Sequence, residues 1–322
     1  MNKTTPVKET IGVIMGGCSS ERAISFKTGR AIVAALQACG CGVLSLELDG
    51  HSEQEVLTLL HGNSVDVVFI ALHGAFGEDG TLQGILQKHG ICYTGSDAMA
   101  SQLAMDKIFC QRLLEEKGLR VPPHISLSHR QKMADEKVAA LLKQGAVVVK
   151  PAREGSSIGI NIIRQPEQLP AALEQAFQCG EEILVERYIP GREITAGILG
   201  RQALPLVEIK PSQPFFDYQA KYQKGMTEYI VPADLPEAVT ADVQRAALAA
   251  FDGLGCRDFG RADFIVDDKN QPYFLEMNTI PGFTSTSLLP MAARQAGFSF
   301  EDLCLKIVRL ARERKPNPSR MF

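Results

Sequence analysis

Strand-length apolar runs alternate with helix-length amphipathic ones from the start of this chain, and that alternation is the strongest constraint on its fold. Ile11-Gly12-Val13-Ile14-Met15 ends on Gly16-Gly17 and reads as a buried strand entering a tight turn. A helix to about Ala38 follows, with Ser19 or Ser20 placed to cap it, and Gly42–Leu48 and Val65–Leu72 read as further strands. Strands separated by helices form βαβ units, so the sheet is parallel. Such sheets bind ligands in polar loops beyond the strand C-terminal ends. The loop His73-Gly74-Ala75-Phe76-Gly77-Glu78-Asp79-Gly80 after the third strand is the first place to look.

Beyond this unit the pattern changes. One helix is expected from about Ala98 to Lys117, with Met99, Leu103, Cys110 and Leu114 on one stripe. Lys107 falls on that apolar stripe, where a lysine either snorkels to water or points at an anion. A smaller α+β unit spans about 103–190, with a strand Val147-Val148-Val149-Lys150, a glycine-rich stretch Glu154-Gly155-Ser156-Ser157-Ile158-Gly159, and a strand Glu182–Arg187. The remainder, about 191–322, reads as strands near 193–199 and 203–210, a polar loop over 211–228, a helix over 236–252, a hairpin and two closing helices. Ser299 with Asp302 forms a capping box for the last helix, whose basic end reads as a solvated face. The fold class is therefore α/β with an α+β C-terminal part, in three units: 1–102, 103–190 and 191–322.

Charge narrows the function. With 34 Lys+Arg against 37 Asp+Glu, the net charge of −3 excludes a broad polyanion-binding surface, so neither nucleic acid nor a membrane surface is an expected partner. No apolar run of membrane-spanning length occurs, and the polar start is not a secretory signal. The 8 cysteines are scattered, with no C-x-x-C pair, and read as reduced thiols of a cytoplasmic protein.

Several motifs are excluded. Gly-Lys never occurs, so there is no P-loop, and no G-x-G-x-x-G follows the first strand. Gly155-Ser156-Ser157-Ile158-Gly159 matches the G-x-S-x-G elbow, but all 6 histidines precede it, which rules out a Ser–His–Asp hydrolase in that chain order. The stretch reads better as a loop whose backbone N–H groups cover phosphates. In the hairpin, Arg261 and Asp263 share one face of a strand, and Glu276 and Asn278 share one face of its partner. If the faces coincide, Asp263, Glu276 and Asn278 converge as oxygen ligands suited to Mg²⁺; otherwise they are the wet face of an edge hairpin.

Two lysines, a glycine-rich lid and two carboxylates with an amide make a nucleoside-triphosphate site without a P-loop. In this combination the sequence resembles the ATP-grasp superfamily, and within it the D-alanine–D-alanine ligases. The resemblance is carried by Gly16-Gly17-Cys18-Ser19-Ser20-Glu21-Arg22, His73-Gly74, Ala104-Met105-Asp106-Lys107, Val149-Lys150-Pro151-Ala152-Arg153-Glu154-Gly155-Ser156-Ser157, Asp217-Tyr218-Gln219-Ala220-Lys221-Tyr222, Gly260-Arg261-Ala262-Asp263, Leu275-Glu276-Met277-Asn278-Thr279-Ile280-Pro281-Gly282 and Thr284-Ser285-Thr286-Ser287-Leu288, in order along the chain.

The resemblance implies an ATP-grasp architecture: an N-terminal Rossmann-like domain, then two α+β domains that clasp ATP. It implies ligation of two D-alanines through a D-alanyl phosphate, giving ADP and phosphate, for peptidoglycan precursors. Lys107, Lys150, Ser157 and Lys221 would contact ATP phosphates. Glu186 and the backbone at Arg187 and Ile189 would meet adenine, and Glu193 the ribose. Asp263, Glu276 and Asn278 would carry two Mg²⁺ ions, with Mn²⁺ able to substitute. Glu21, whose acidic side chain a helix N-terminus also favours by itself, would hold the first D-alanine's ammonium beside His73, with Ser156 and Tyr222 bonding to it across the lid loops. Arg261 and Gly282 would stabilise the oxyanion, and Ser287 and Leu288 would bind the second D-alanine's carboxylate. Lys221-Tyr222, which relatives making D-alanyl-D-lactate replace, favours an amine acceptor. Relatives are homodimers. Ala23, Met277 and Cys18 depart from the common pattern without removing a role.

Overall fold

The fold is known from a computed structural model that describes residues 9–128, 136–155, 158–211 and 227–314. The N-terminal elements are β1 (Thr10–Gly16), α1 (Arg22–Ala38), β2 (Gly42–Leu48), α2 (Glu53–His61), β3 (Val67–Ile70) and α3 (Thr81–Lys88). They form a parallel sheet of order β2-β1-β3, as the alternation requires. Both faces of the sheet are covered, which is why β1 and β3 are nearly all apolar and buried, while the edge strand β2 carries Ser45 and Glu47. Ile14, Leu46 and Ile70 pack with α2 and α3 on one face. Ile11, Val13, Met15 and Phe69 pack with α1 on the other.

The helix expected over 98–117 is two helices, α4 (Ala98–Met105) and α5 (Lys107–Glu116). Asp106 separates them with an extended backbone, and its carboxylate accepts the Phe109 N–H at 3.0 Å as the N-cap of α5. The break sets Lys107 in the first turn of a helix rather than mid-stripe.

Next come β4 (His124–Ser128), α6 (Glu136–Lys143), β5 (Val147–Pro151), β6 (Asn161–Ile163), α7 (Leu169–Phe177) and β7 (Glu182–Arg187), with the strands in an antiparallel sheet of order β4-β7-β5-β6. Val147, Val149, Ile183 and Val185 point to α6 and α7. The period of two therefore turns Lys150 and Glu186 to the opposite face.

The remaining elements are β8 (Gly191–Leu199), β9 (Gln202–Ala203), β10 (Val207–Pro211), β11 (Thr227–Ile230), α8 (Glu237–Gly253), β12 (Phe259–Asp267), β13 (Pro272–Asn278), α9 (Leu288–Gln295) and α10 (Phe300–Glu313). Their sheet runs β11-β10-β8-β12-β13, with β9 beside β8. Ile194, Ala196, Ile198, Ala262, Phe264 and Met277 pack against α4, α5 and α8, which leaves Glu193, Arg261 and Asp263 on the other face.

The first and third sheets are not independent. Phe259, Phe283, Leu289 and the apolar side of α10 share one core with α1, β1 and β3. The capping box of α10 forms as read, with Ser299 Oγ accepting the Asp302 N–H at 3.0 Å. Of its basic end Arg312 is exposed as expected, but Arg314 is not. Arg314 donates to the carbonyls of Gly95, at 3.0 Å, and Tyr93, and lies 3.4 Å from Asp258. All eight cysteines are free thiols. No described helix is long and apolar enough to cross a membrane.

Candidate active site

The cleft lies between the lysine-bearing face of the central sheet and the acidic face of the C-terminal sheet, with turns of the N-terminal unit beside it. On the central side, Lys150 and Glu186 are both buried and pair at 2.8 Å. Gln111 of α5, wholly buried, donates to the other Glu186 oxygen at 2.5 Å and to the Leu275 carbonyl at 3.1 Å. Burying an unpaired charge is costly, so Lys150 and Glu186 stabilise one another until an anion competes for the lysine. Lys107 has a backbone N–H bonded to the Ala152 carbonyl at 2.9 Å. Its ammonium donates to the Glu154 carbonyl at 2.6 Å and lies 3.6 Å from Glu276 on the opposite sheet. Of the two readings left open by its place on the stripe, the buried one holds: Lys107 points into the cleft instead of snorkelling.

On the opposite side the two polar faces of the hairpin coincide. Arg261 pairs in register with Asn278, and Asp263 with Glu276. Arg261 clamps both oxygens of Asp263 at 2.8 Å, and the Asn278 amide donates to Asp263 at 3.0 Å. Such a bidentate fork fixes the guanidinium in plane and direction. Met277 turns away into the apolar cluster behind the sheet. Among the described residues no group of three His, Cys, Asp or Glu side chains forms a ready metal cage. Two carboxylates and an amide oxygen nevertheless fit a hard cation that keeps water and phosphate ligands. Turning the Asn278 amide over would present its oxygen. Glu193 stands half-buried on the same sheet face as Arg261, in register with Ile265.

At the N-terminal side, Glu21 occupies the N-cap position of α1 but caps nothing with its side chain. Ser19, expected as a cap, instead accepts the Glu21 N–H at 3.2 Å and donates to the His73 carbonyl at 2.7 Å, tying the two turns together. Gly74 has φ +73, and a Cβ there would lie 3.0 Å from the Glu21 carboxylate; a Cβ on Gly155 of the lid stretch would lie 3.9 Å from the same carboxylate. His73 is buried, with Nε2 3.0 Å from Thr28 Oγ1 and Nδ1 3.1 Å from Glu78. Burial pushes the Glu78 carboxyl up, and nearby Glu21 adds to the shift while His73 opposes it. Burial likewise raises Glu154, with Lys107 opposing and Glu21 adding.

The loop after β13 is planted on the N-terminal unit by Ile280, in the core on one face of the parallel sheet, and Phe283, in the core on the other. Gly282 lies against Ser287, whose hydroxyl accepts the Thr284 N–H at 3.0 Å. Ser287 is the N-cap of α9, so Leu288 opens that helix with a backbone N–H that has no intrahelical carbonyl.

Not every residue falls into place. Ser156, Ser157, Lys221 and Tyr222 lie outside the described residues. Arg187 is exposed, and its backbone N–H already donates to the Pro123 carbonyl at 2.8 Å, so that group is not open to a base; Ile189 beside it is buried. Sequence reasoning missed Gln111, Thr28 and Glu78. The only signal for Gln111 was a polar residue next to the apolar stripe, four positions after Lys107.

The comparisons with known proteins point to one family. The family models for the D-ala D-ala ligase N-terminus and C-terminus match residues 47–96 and 113–309. The D-alanine–D-alanine ligase of Syntrophotalea carbinolica is 44% identical over 308 residues, covering 96% of this chain and 98% of that one. That of Geotalea uraniireducens is 44% identical over 301 residues, covering 94% and 95%. Among solved structures, a Bacillus anthracis D-alanine–D-alanine ligase complexed with ATP superposes with a TM-score of 0.83 at 32% identity, covering 94% of this chain and 97% of that one. The VanG D-Ala:D-Ser ligase of Enterococcus faecalis gives 0.80 at 28%, covering 95% and 100%. A match of this length and identity, with the same overall fold, makes the chain a member of the D-alanine–D-alanine ligase family.

Proposed function

We propose that the chain is an ATP-dependent carbon–nitrogen ligase that joins two D-alanines into D-alanyl-D-alanine, giving ADP and phosphate, for peptidoglycan precursors. The observation that carries it is the meeting of two buried lysines, Lys107 at the start of α5 and Lys150 on β5, with a carboxylate–carboxylate–amide set from the C-terminal sheet, with Glu21 and His73 on neighbouring turns. The proposed units 1–102, 103–190 and 191–322 each carry one of the three sheets.

The chemistry explains the parts. A carboxylate is a poor electrophile, and phosphorylating it supplies a leaving group. Lys107 and Lys150 hold the triphosphate, Glu193 the ribose, and Glu186 orients Lys150 beside the base. Asp263, Glu276 and Asn278 would hold Mg²⁺, or Mn²⁺ in its place, which supplies positive charge against the phosphates. Glu21 takes the ammonium of the first D-alanine and His73 lines its subsite. Ser287 and the Leu288 N–H take the carboxylate of the second, at a helix N-terminus suited to an anion. The second amine then attacks the acyl phosphate. Arg261, already aimed by Asp263, and the Gly282 N–H donate to the developing oxyanion, a role for preorganised donors. Water must be kept from the intermediate, the role assigned by resemblance to Ser156 and Tyr222, which would tie the lid loops shut, while Ser157 and Lys221 would contact the phosphates. By the same resemblance the protein is a cytoplasmic homodimer.

The test is phosphate release from Mg-ATP with D-alanine, with the dipeptide identified by mass. No release above background, with nucleotide still bound, sinks the reading. Preferential formation of the mixed product when D-serine or D-lactate is added would move the chain to a different acceptor.

A further inference from the structure

The nucleotide end of the cleft contains one polar side chain to which no role has yet been assigned. Gln111 is wholly buried, on α5, one turn after Lys107. Its amide group divides its two hydrogens between the halves of the clasp. One goes to Glu186 on β7 of the central sheet, at 2.5 Å. The other goes to the backbone carbonyl of Leu275 on β13 of the C-terminal sheet, at 3.1 Å. Leu275 immediately precedes Glu276, which faces Lys107 at 3.6 Å. Glu186 in turn holds Lys150 at 2.8 Å.

Two acceptors fix which way the amide faces, because its oxygen could not replace the nitrogen against a carboxylate and a carbonyl. The Gln111 oxygen has no hydrogen-bond partner among the described residues. A buried amide with an unsatisfied acceptor is a poor choice for stability alone. An apolar side chain of the same length would remove that orphan but take both N–H donors from Glu186 and the Leu275 carbonyl, so the value of Gln111 lies in what it holds. Gln111 therefore does something that packing does not.

Resting on the reading of this cleft as a nucleotide site, we infer that Gln111 is a positioning residue for the phosphate-binding lysines. By holding one oxygen of Glu186, it leaves the other aimed at Lys150 and so fixes where that ammonium meets an anion. By holding Leu275, it sets how far β13 stands from α5, and hence the distance from Glu276 to Lys107. A single amide thus sets the spacing of both lysines across two sheets. The residue touches neither substrate nor reacting atoms and acts only through its neighbours.

The experiment compares Gln111→Met, which keeps length and removes both donors, with the parent chain. ADP affinity is read by titration calorimetry, and KM for ATP and for D-alanine by phosphate release. We expect the ADP dissociation constant and the KM for ATP to rise about tenfold, with the KM for D-alanine within twofold. In a Glu186→Met background the same substitution should lose most of its effect and change ADP affinity by less than threefold, the share carried through Leu275, because residues acting through one another are not additive. If Gln111→Met does not fold, Gln111→Asn, one methylene too short to reach both acceptors, is read in the same way. ADP affinity within twofold of the parent, an equal rise in every KM, or a tenfold effect that persists without Glu186 would each overturn the inference. A parent that binds ADP but releases no phosphate with D-alanine would sink the ligase reading alone, and the ADP affinities would still decide the role of Gln111.

Discussion

Two of the charge networks among the described residues are built from different cations. On the central-sheet side of the cleft the cations are lysines, and Lys150 and Lys107 lie against the side chains of Glu186 and Glu276. At the seam between the N-terminal and C-terminal units the cations are arginines. Arg314 reaches the Gly95 and Tyr93 carbonyls and Asp258, and Arg257 reaches Asp97 at 3.5 Å and the Tyr93 hydroxyl at 3.2 Å. The Gly95 N–H closes the seam on Asp258 at 2.8 Å. A lysine is a point charge on a flexible stem and can exchange one anion for another; a guanidinium fork held by main-chain carbonyls cannot move without unpicking the chain. One network is arranged to be interrupted by a ligand and the other to remain closed.

Substitutions can break or sharpen that contrast. The largest effect is expected from Lys150→Met, which removes a proposed ligand for phosphate and leaves Glu186 buried without its charge partner. ADP affinity should fall at least about 100-fold (2.7 kcal/mol), and unfolding free energy in denaturant by about 3 kcal/mol. An unchanged ADP affinity would erase the distinction between the networks. Arg314→Leu is the counterpart at the seam, partly open to solvent. It should cost about 2 to 3 kcal/mol of stability while ADP affinity stays within twofold. A parallel loss of affinity would show that the seam reaches the cleft. His73→Ala lies in the cleft but away from the nucleotide, and the KM for one of the two D-alanines should rise about tenfold, with the KM for ATP unmoved.

The smallest effect concerns pH. Burial raises the Asp258 carboxyl above its usual value, and Arg314, the Gly95 N–H and Arg257 offset only part of the rise. The folded chain therefore binds that proton more tightly than the unfolded one. Stability from this group is present at low pH and is lost as pH climbs from the ordinary carboxylate value, about 4, through the raised folded one. Asp258 has a left-handed backbone at φ +62, which asparagine also tolerates. Asp258→Asn should thus flatten the slope by about 1 kcal/mol or less, seen as the difference between parent and variant unfolding curves from pH 4.5 to 7. Identical slopes would remove Asp258 from the account.

Much of this was legible in the sequence where periodicity and chemistry coincide. The strands Gly42–Leu48 and Glu182–Arg187 have the predicted bounds, and the β12–β13 hairpin superposes its polar faces as alternation requires. The expected third strand is shorter, Val67–Ile70, because apolar content alone does not mark where pairing stops. The break at Asp106 was hidden because a stripe of apolar residues continues across it; an aspartate that caps the next helix looks the same in sequence as one on a helix surface. Arg314 was read as solvated because its partners at Tyr93, Gly95 and Asp258 are remote in sequence. Gln111 was missed for the same reason: a polar residue's value depends on two strands whose positions no local pattern states.

The shared core has a consequence for how the chain must be made. One face of the first parallel sheet is closed by α1 together with α10, whose residues lie some two hundred and thirty positions after β3. While α10 is still inside the ribosome, Ile11, Val13 and Phe69 have only part of their cover. Domains generally fold in order of synthesis, but the first unit of this chain cannot finish before its last helix emerges. The parallel sheet waits, partly open, for the final helix and its arginine to arrive.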